Sequence, residues 1–194
     1  MAQPRAQSGF TLVELMITLA IIGILGLATL PGIFRNIPTY RVNSAAKVLA
    51  SEINLARMRA IARNRVHHVT FDLAAQKIEI WEDDDNNWGT ANALVKTLSL
   101  PGRFPNVALD YNPVTGVDGA AVAQAASFGG TSSPVRATFR PNGLLADPGA
   151  FYLIPATDKG VRDERMRALA VGRAGQVQVF RYDPTSNPPW EEYL

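Results

Sequence analysis

The stretch that decides the fold is residues 8–34, SGFTLVELMITLAIIGILGLATLPGIF. Glu14 is the only ionisable side chain in this run, with Arg5 before it and Arg35 after it. A helix of about 25 residues is roughly 37 Å long at 1.5 Å per residue, which is enough to cross the hydrocarbon core of a bilayer. The sequence therefore predicts a membrane-spanning helix over residues 10–34.

Three kinds of amino-terminal segment contain such an apolar run. A cleaved secretory signal has a shorter run followed by a site of small residues, which Ala28-Thr29-Leu30 matches poorly. A plain membrane anchor accounts for the length but not for Glu14, because a carboxylate inside an apolar helix is costly and usually has a partner or a function. In the third kind the chain is cut before the run, which is then kept. We favour this third interpretation.

The junction from Ser8 to Leu15 resembles the class III signal of type IV prepilins and type II secretion pseudopilins. The resemblance implies that a membrane prepilin peptidase cuts between Gly9 and Phe10 and methylates the new amino terminus. It also implies an assembly role for Glu14 and for Pro31, which matches a proline that many pilins carry. In a filament of packed helices, Glu14 of one subunit can pair with the Phe10 ammonium of a neighbour, which relieves the cost of burying the carboxylate.

A second helical pattern follows, from about Tyr40 to Arg65. Pro31 predicts a kink or local melting, and a break is predicted at Asn36, Pro38 and Thr39. After the break, apolar residues recur at helical spacing on one stripe, which predicts the face that packs on a sheet. These residues are Val42, Ala45, Ala46, Leu49, Ile53, Ala56 and Ala60. The basic residues on the other side of this helix predict a solvated face.

From residue 66 the pattern becomes that of strands. Residues 66–73 and 77–81 predict a hairpin, and further strand signals lie at 93–100, 107–111, 136–140, 151–155, 166–171 and 176–182. Residues 112–134, rich in Gly, Ala and Ser, predict a long loop. The tail from Pro184 has three prolines and predicts an irregular segment across the surface. The pattern predicts a long amino-terminal helix followed by a strand-rich head.

The head resembles the GspH/FimT family of minor pseudopilins and minor pilins. The blocks that carry this resemblance are residues 55–64, 138–143 and 169–177. The resemblance implies the α+β fold class, with the long amino-terminal helix packed on an antiparallel β-sheet head. The expected organisation is a leader peptide at residues 1–9, a transmembrane and assembly helix at 10–34, the amphipathic half of the helix at 35–65 and a β-rich head at 66–194.

An acidic turn at residues 82–87, EDDDNN, is dense in oxygen ligands of the kind that calcium prefers. Asp83, Asp85 and Asn87 are the candidate ligands. The turn lacks the glycine and the downstream glutamate of an EF-hand, so a solvated hairpin turn is the simpler interpretation. His67 and His68 are adjacent on a predicted strand and point to opposite faces, which does not favour a metal pair.

A candidate DNA contact lies in Gly172-Arg173-Ala174-Gly175. DNA-binding FimT-like minor pilins carry a Gly-Arg-x-Arg pattern that this region resembles. Arg173 matches the first arginine, whereas Gly175 stands where the second would be. Since two arginines supply affinity for phosphates that one does not, a glycine turn between two strands is the competing interpretation.

Composition excludes several functions. The chain has 194 residues, no cysteine and a net charge of +2, which argues against a uniformly basic nucleic-acid binder and excludes disulfides and thiolate metal sites. It has no phosphate loop, zinc spacing or nucleophile elbow, so we expect no enzyme and no obligatory cofactor. The expected function is a minor pilin of a type IV pilus. The alternatives are a minor pseudopilin of a type II secretion system and a DNA-uptake minor pilin.

The expected location follows from the same resemblance. Before assembly the helix would span the inner membrane with the head in the periplasm, and afterwards the subunit would belong to a filament. The expected partners are the prepilin peptidase, other pilin or pseudopilin subunits and the inner membrane, with DNA as the further candidate.

Overall fold

A computed structural model describes residues 9–85, 87–90, 92–128 and 134–193, and at residues 28–33 it describes the backbone alone. The chain divides into two compact units, Met1–Ile37 and Pro38–Leu194. The first unit contains the beginning of one long helix, and the second contains the rest of that helix and all the strands.

Helix α1 spans Leu12–Arg63. Thr11 precedes it, and the Thr11 hydroxyl accepts a hydrogen bond from the Glu14 amide at 3.2 Å. The break predicted at residues 36–39 is wrong, because α1 continues through this segment. A proline inside a helix removes one amide donor, and a helix of 52 residues keeps its bonds on both sides of that loss. The side chain of Pro31 lies outside the described residues.

No helix in the described part of the chain is both long and apolar enough to cross a membrane.

The predicted stripe of α1 is buried in the second unit. Its seven residues, from Val42 to Ala60, are each at most 1% exposed. Four of them are alanines, whose small side chains let the helix backbone come close to the sheets. The prediction of a helix face packed on the head is confirmed.

The first sheet has four antiparallel strands in the order β3-β2-β1-β6. The strands are β1 (Val66–Asp72), β2 (Lys77–Asp83), β3 (Asn92–Ser99) and β6 (Val135–Phe139). The predicted hairpin is confirmed, since β1 and β2 pair from Val66↔Asp83 to Asp72↔Lys77. A short helix α2 (Leu100–Arg103) follows β3.

The second sheet has six antiparallel strands, five in the order β10-β9-β8-β7-β4 and β5 paired with β7. The strands are β4 (Val107–Leu109), β5 (Ala126–Phe128), β7 (Gly149–Pro155), β8 (Arg167–Val171), β9 (Val177–Tyr182) and β10 (Trp190–Glu192). Gln76, in the turn of the first hairpin, connects the two sheets. Its amide accepts from the Leu109 N–H at 2.7 Å and donates to the Leu109 carbonyl at 3.1 Å.

The main core lies where α1 meets both sheets. Phe71 of the first sheet stacks on Phe128 at 5.2 Å and contacts Phe151 at 4.9 Å, as measured between ring centroids. A second apolar cluster covers the opposite face of the second sheet and contains Tyr152, Ile154, Met166, Ala168 and Trp190. The expected α+β class, with a helix packed on antiparallel strands, is confirmed.

Two segments predicted as irregular are partly regular. Residues 112–134 contain β5 and bury Val122, Ala125 and Phe128, so the prediction of one long loop is wrong there. The tail forms β10 on the edge of the second sheet instead of only crossing the surface. In both cases the segment is too short and too rich in Gly, Ala, Ser or Pro to show a strand period, and its pairing depends on partners distant in sequence.

Trp190 should contribute more to the stability of the fold than Glu191, its neighbour in β10. Its ring contacts Tyr152 and Tyr182, and its Nε1 donates to the Thr115 carbonyl at 2.7 Å. We expect Trp190→Ala to lower the free energy of unfolding by about 3 kcal/mol through a cavity and a lost hydrogen bond. Urea unfolding followed by far-ultraviolet circular dichroism measures this loss.

Glu191→Ala is the matched control, because Glu191 makes a surface ion pair with Arg181 and should cost less than about 1 kcal/mol. Equal effects of the two substitutions would contradict the role assigned to Trp190.

Candidate functional site

The amino-terminal unit presents apolar side chains on every side of α1. From Phe10 to Leu27 the large apolar residues are all exposed, with Phe10 at 83% and Ile21, the least exposed, at 51%. A helix that is apolar all round is normally buried in a membrane or against other helices. This segment therefore needs a partner outside its own unit.

The predicted processing site lies in an accessible position. Gly9 and Phe10 are exposed and precede the first residue of α1, so neither belongs to the helical hydrogen-bond ladder. A peptidase must bind its substrate in an extended form, and this bond requires no unwinding of α1. The cut between Gly9 and Phe10 stays a prediction.

Glu14 occupies the third position of α1, three residues after the capping Thr11. The pattern Thr-x-x-Glu is that of a capping box. The sequence analysis assigned Glu14 to assembly alone and did not identify this second role. A carboxylate in the first turn also interacts favourably with the positive end of the helix dipole. Glu14 is thus suited to starting the helix as well as to pairing with a neighbouring ammonium.

The predicted DNA contact sits in a turn that packs against α1. Arg173 is exposed, and its carbonyl accepts a hydrogen bond from the Leu145 amide at 3.0 Å. Gly175 has a φ of +78°, and a Cβ placed there would lie 2.6 Å from both Arg57 Nε and the Gly143 carbonyl oxygen. An arginine at position 175 would require a positive φ and a shift of Arg57 and of the Gly143 backbone, so the packing disfavours the two-arginine pattern. DNA contact through Arg173 alone stays a prediction.

The predicted calcium ligands are engaged with one another and with the hairpin turn. Asp83 is buried and accepts from the Asp85 amide at 3.1 Å. Asp85 accepts from the Asn87 amide at 3.0 Å and from the Thr90 hydroxyl at 2.5 Å, and these bonds, the hydroxyl first, lower the pKa of Asp85. Asn86 lies outside the described residues. Across the described residues, no three His, Asp or Glu side chains come together as metal ligands.

Two buried carboxylates of β2 meet two buried histidines of β1, a pairing that the sequence did not reveal. Glu82 lies on the α1 side of the first sheet, where its carboxylate accepts from Arg63 at 2.8 Å and from Arg65 at 3.2 Å. The Nε2 atom of His67 lies 3.7 Å from Glu82 and has no hydrogen-bond partner among the described residues. The predicted solvated face of α1 is therefore partly occupied by ion pairs at its carboxyl-terminal end.

His68 lies on the opposite face of the same sheet, as its adjacency to His67 predicted. Its Nε2 donates to Asp83 at 3.0 Å, and its Nδ1 accepts from the Thr138 hydroxyl at 2.9 Å, as expected for a neutral imidazole. Trp88 covers the ring at a centroid distance of 4.8 Å, and Arg136 lies over Trp88. The Trp88 ring thus packs over the hydrogen-bonded group of His68, Asp83 and Thr138, which indicates that these residues have a structural role.

The fold and these positions together define a type IV pilin-like subunit. The prokaryotic N-terminal methylation motif matches residues 4–30, and the family described as Type II transport protein GspH matches residues 45–175. The chain belongs to the GspH family of type IV pilin-like proteins. No curated protein matches the chain.

Solved structures with a similar fold include two minor subunits. The type IV minor pilin FimU of Pseudomonas aeruginosa is 18% identical, with 71% of this chain and 87% of that chain covered and a TM-score of 0.46. The minor pseudopilin EpsH of Vibrio cholerae is 16% identical, with 72% and 94% covered and a TM-score of 0.48.

The buried histidines make stability depend on pH in a defined direction. Burial lowers the pKa of both His67 and His68 below 6.5, despite the opposing effects of Glu82 and Asp83, while Arg59, Arg63 and Arg136 lower it further. Below about pH 6.5 the unfolded chain then binds more protons than the folded chain. The contribution of the neutral histidines to the free energy of unfolding is therefore complete above that pH and is lost as the pH falls. We expect the free energy of unfolding to decrease between about pH 7 and pH 5.

The double variant His67→Gln, His68→Asn should flatten this dependence even if its stability at pH 7 is lower, because neither amide titrates. Urea unfolding at several pH values measures both slopes. An unchanged slope in the double variant would rule out the histidines as its source.

Proposed function

We propose that this chain is a minor pilin of a type IV pilus, cut by a prepilin peptidase between Gly9 and Phe10 and methylated on Phe10. The observation that supports its role as a subunit assembled through its helix is the exposed apolar surface of α1 from Phe10 to Leu27, in a chain with a methylation motif over the same residues. Before assembly this segment holds the subunit in the inner membrane with the head in the periplasm. In the filament it packs among the helices of neighbouring subunits.

Glu14 sets the position of the subunit in this scheme. Cleavage leaves an ammonium on Phe10, and a neighbour's ammonium is the cation available to a carboxylate surrounded by apolar helices. Pairing of the two charges offsets the cost of removing each from water and selects one stagger between subunits. The head, with its own core, does not depend on this pair.

Charge and capping at Glu14 can be separated by substitution. Glutamine keeps the shape and the capping-box pattern but removes the charge, so we expect Glu14→Gln to reduce recovery in sheared filaments at least about tenfold, as breaking a buried ion pair would. Thr11→Val removes the cap at a cost of about 1 kcal/mol and keeps the charge, so its recovery should stay near that of the wild type.

The measurement is the amount of each variant in sheared filaments relative to its amount in whole membranes. Normal recovery of Glu14→Gln would contradict the pairing. If only Thr11→Val reduced recovery in filaments, the first turn of α1 would matter for assembly through its cap and not through the charge of Glu14.

The second candidate is a minor pseudopilin of a type II secretion system, which the description of the matching family favours. Both candidates use the same assembly helix, so the helix does not distinguish them. Mass spectrometry of the subunits that co-purify with the cross-linked chain does. Recovery with pilus subunits supports the minor pilin, whereas recovery with secretion-system subunits alone supports the pseudopilin and overturns our first choice.

A further inference from the structure

A groove of about 650 Å³ lies on the face of the second sheet that is turned away from α1. Its floor is formed by Ala150 of β7, Ala170 of β8, and Gln178 and Phe180 of β9. Residues alternate between the faces of a strand, and the neighbours Phe151, Leu169 and Val179 belong to the core on the α1 side. The groove therefore lies on the sheet face opposite α1, although two of its lining residues, Phe128 and Val171, belong to the main core.

Small residues give the groove its depth. Ala150 and Ala170 are directly paired across β7 and β8, and Gly149 and Gly172 extend the same floor. Val117 stands beside this floor, whereas Phe128, which also lines the groove, is only 1% exposed and contributes little apolar surface to it. A trough of this size, mostly apolar with a few polar groups, is typical of a ligand site.

A side pocket of about 120 Å³ opens from the groove. The two cavities share Asp118, Gln124 and Ser127, and the side pocket is completed by Ala121, Val122, Ala123 and Tyr152. Tyr152 is only 4% exposed, so its ring belongs to the packed cluster beneath the pocket. The volume corresponds to about four water molecules, enough for one side chain.

The polar groups around the side pocket select a cation. Asp118 uses one carboxylate oxygen to accept from the Ala120 amide at 3.1 Å, and it has no ion pair among the described residues. Among the described residues, no lysine, arginine or histidine lines either cavity. A carboxylate, an amide oxygen and a hydroxyl around one small pocket match the three donors of an ammonium group. The same arrangement disfavours phosphates and acidic segments.

We propose that this groove binds an extended segment of a partner protein in which a lysine is flanked by apolar residues. The lysine enters the side pocket with its stem against Ala121 and Ala123 and its ammonium on Asp118. The flanking apolar side chains lie in the groove against Val117, Ala170 and Phe180. The recognition is independent of α1, so it holds for a pilus subunit and for a pseudopilin alike.

The test uses the full chain in detergent micelles and the peptide Val-Ala-Lys-Val-Ala-Val-amide, with fluorescein attached at its amino terminus so that the lysine ammonium stays free. Fluorescence polarisation measures its dissociation constant, which is compared with the dissociation constants of two peptides that have norleucine or glutamate in place of lysine. We expect the lysine peptide to bind at least about tenfold more tightly than either, and its affinity to fall as salt is added, since the contact is an ion pair near the surface. Equal binding of the lysine and norleucine peptides, or no binding at all, would overturn the proposal.

Two variants locate the contact on the protein. Asp118→Asn removes the charge and should weaken binding of the lysine peptide about tenfold while leaving the norleucine peptide unaffected. Ala123→Leu fills the exposed mouth of the side pocket and should weaken the lysine peptide without touching Asp118. Glu164→Gln, at an exposed acidic residue outside both cavities, is the matched control and should change nothing.

Thermal unfolding of each variant ensures that the comparison is made on folded protein. Unchanged affinity in both Asp118→Asn and Ala123→Leu would exclude this pocket. Assembly of the variants into filaments should be normal, so failure of the peptide to bind and failure of the assembly role are separate results.

Discussion

The packing of one stripe of α1 against two sheets is the interaction on which the head depends. The seven stripe residues are almost wholly buried, and four are alanines, so the helix backbone can approach both sheets closely. Phe71, Phe128 and Phe151 fill the space where the sheets meet. Removal of these apolar surfaces from water is the dominant favourable contribution to the folding of such a unit. The turns and edges of the head are positioned by this packing.

The carboxyl-terminal end of α1 adds polar constraints to that packing. Arg63 and Arg65 hold Glu82, and Arg57 Nε donates to the Gly143 carbonyl at 3.0 Å. The second contact brings the turn around Gly175 against the helix, and this is why an arginine side chain is disfavoured there.

The two units of the chain differ in where their apolar side chains lie. The head buries its apolar residues within itself, whereas the segment from Phe10 to Leu27 exposes them and so requires other molecules. Glu14 serves both the start of the helix and, in the proposed filament, the pairing with a neighbour. The groove on the second sheet is a third surface. It lies on the sheet face turned away from α1, so a partner can bind there without changing how the subunit assembles.

The sequence by itself determined the apolar run with its single carboxylate, the stripe of α1 and the first hairpin, because each shows in local periodicity or in residues a few positions apart. The α+β class followed from the resemblance to the GspH/FimT family. The sequence did not reveal that α1 continues through Pro38, since a long helix tolerates the loss of one amide bond. Nor did it reveal β5 and β10, or the pairing of His67 and His68 with Glu82 and Asp83. Only the tertiary structure decided these features and the groove beside Asp118, because they depend on strands brought together from distant parts of the chain.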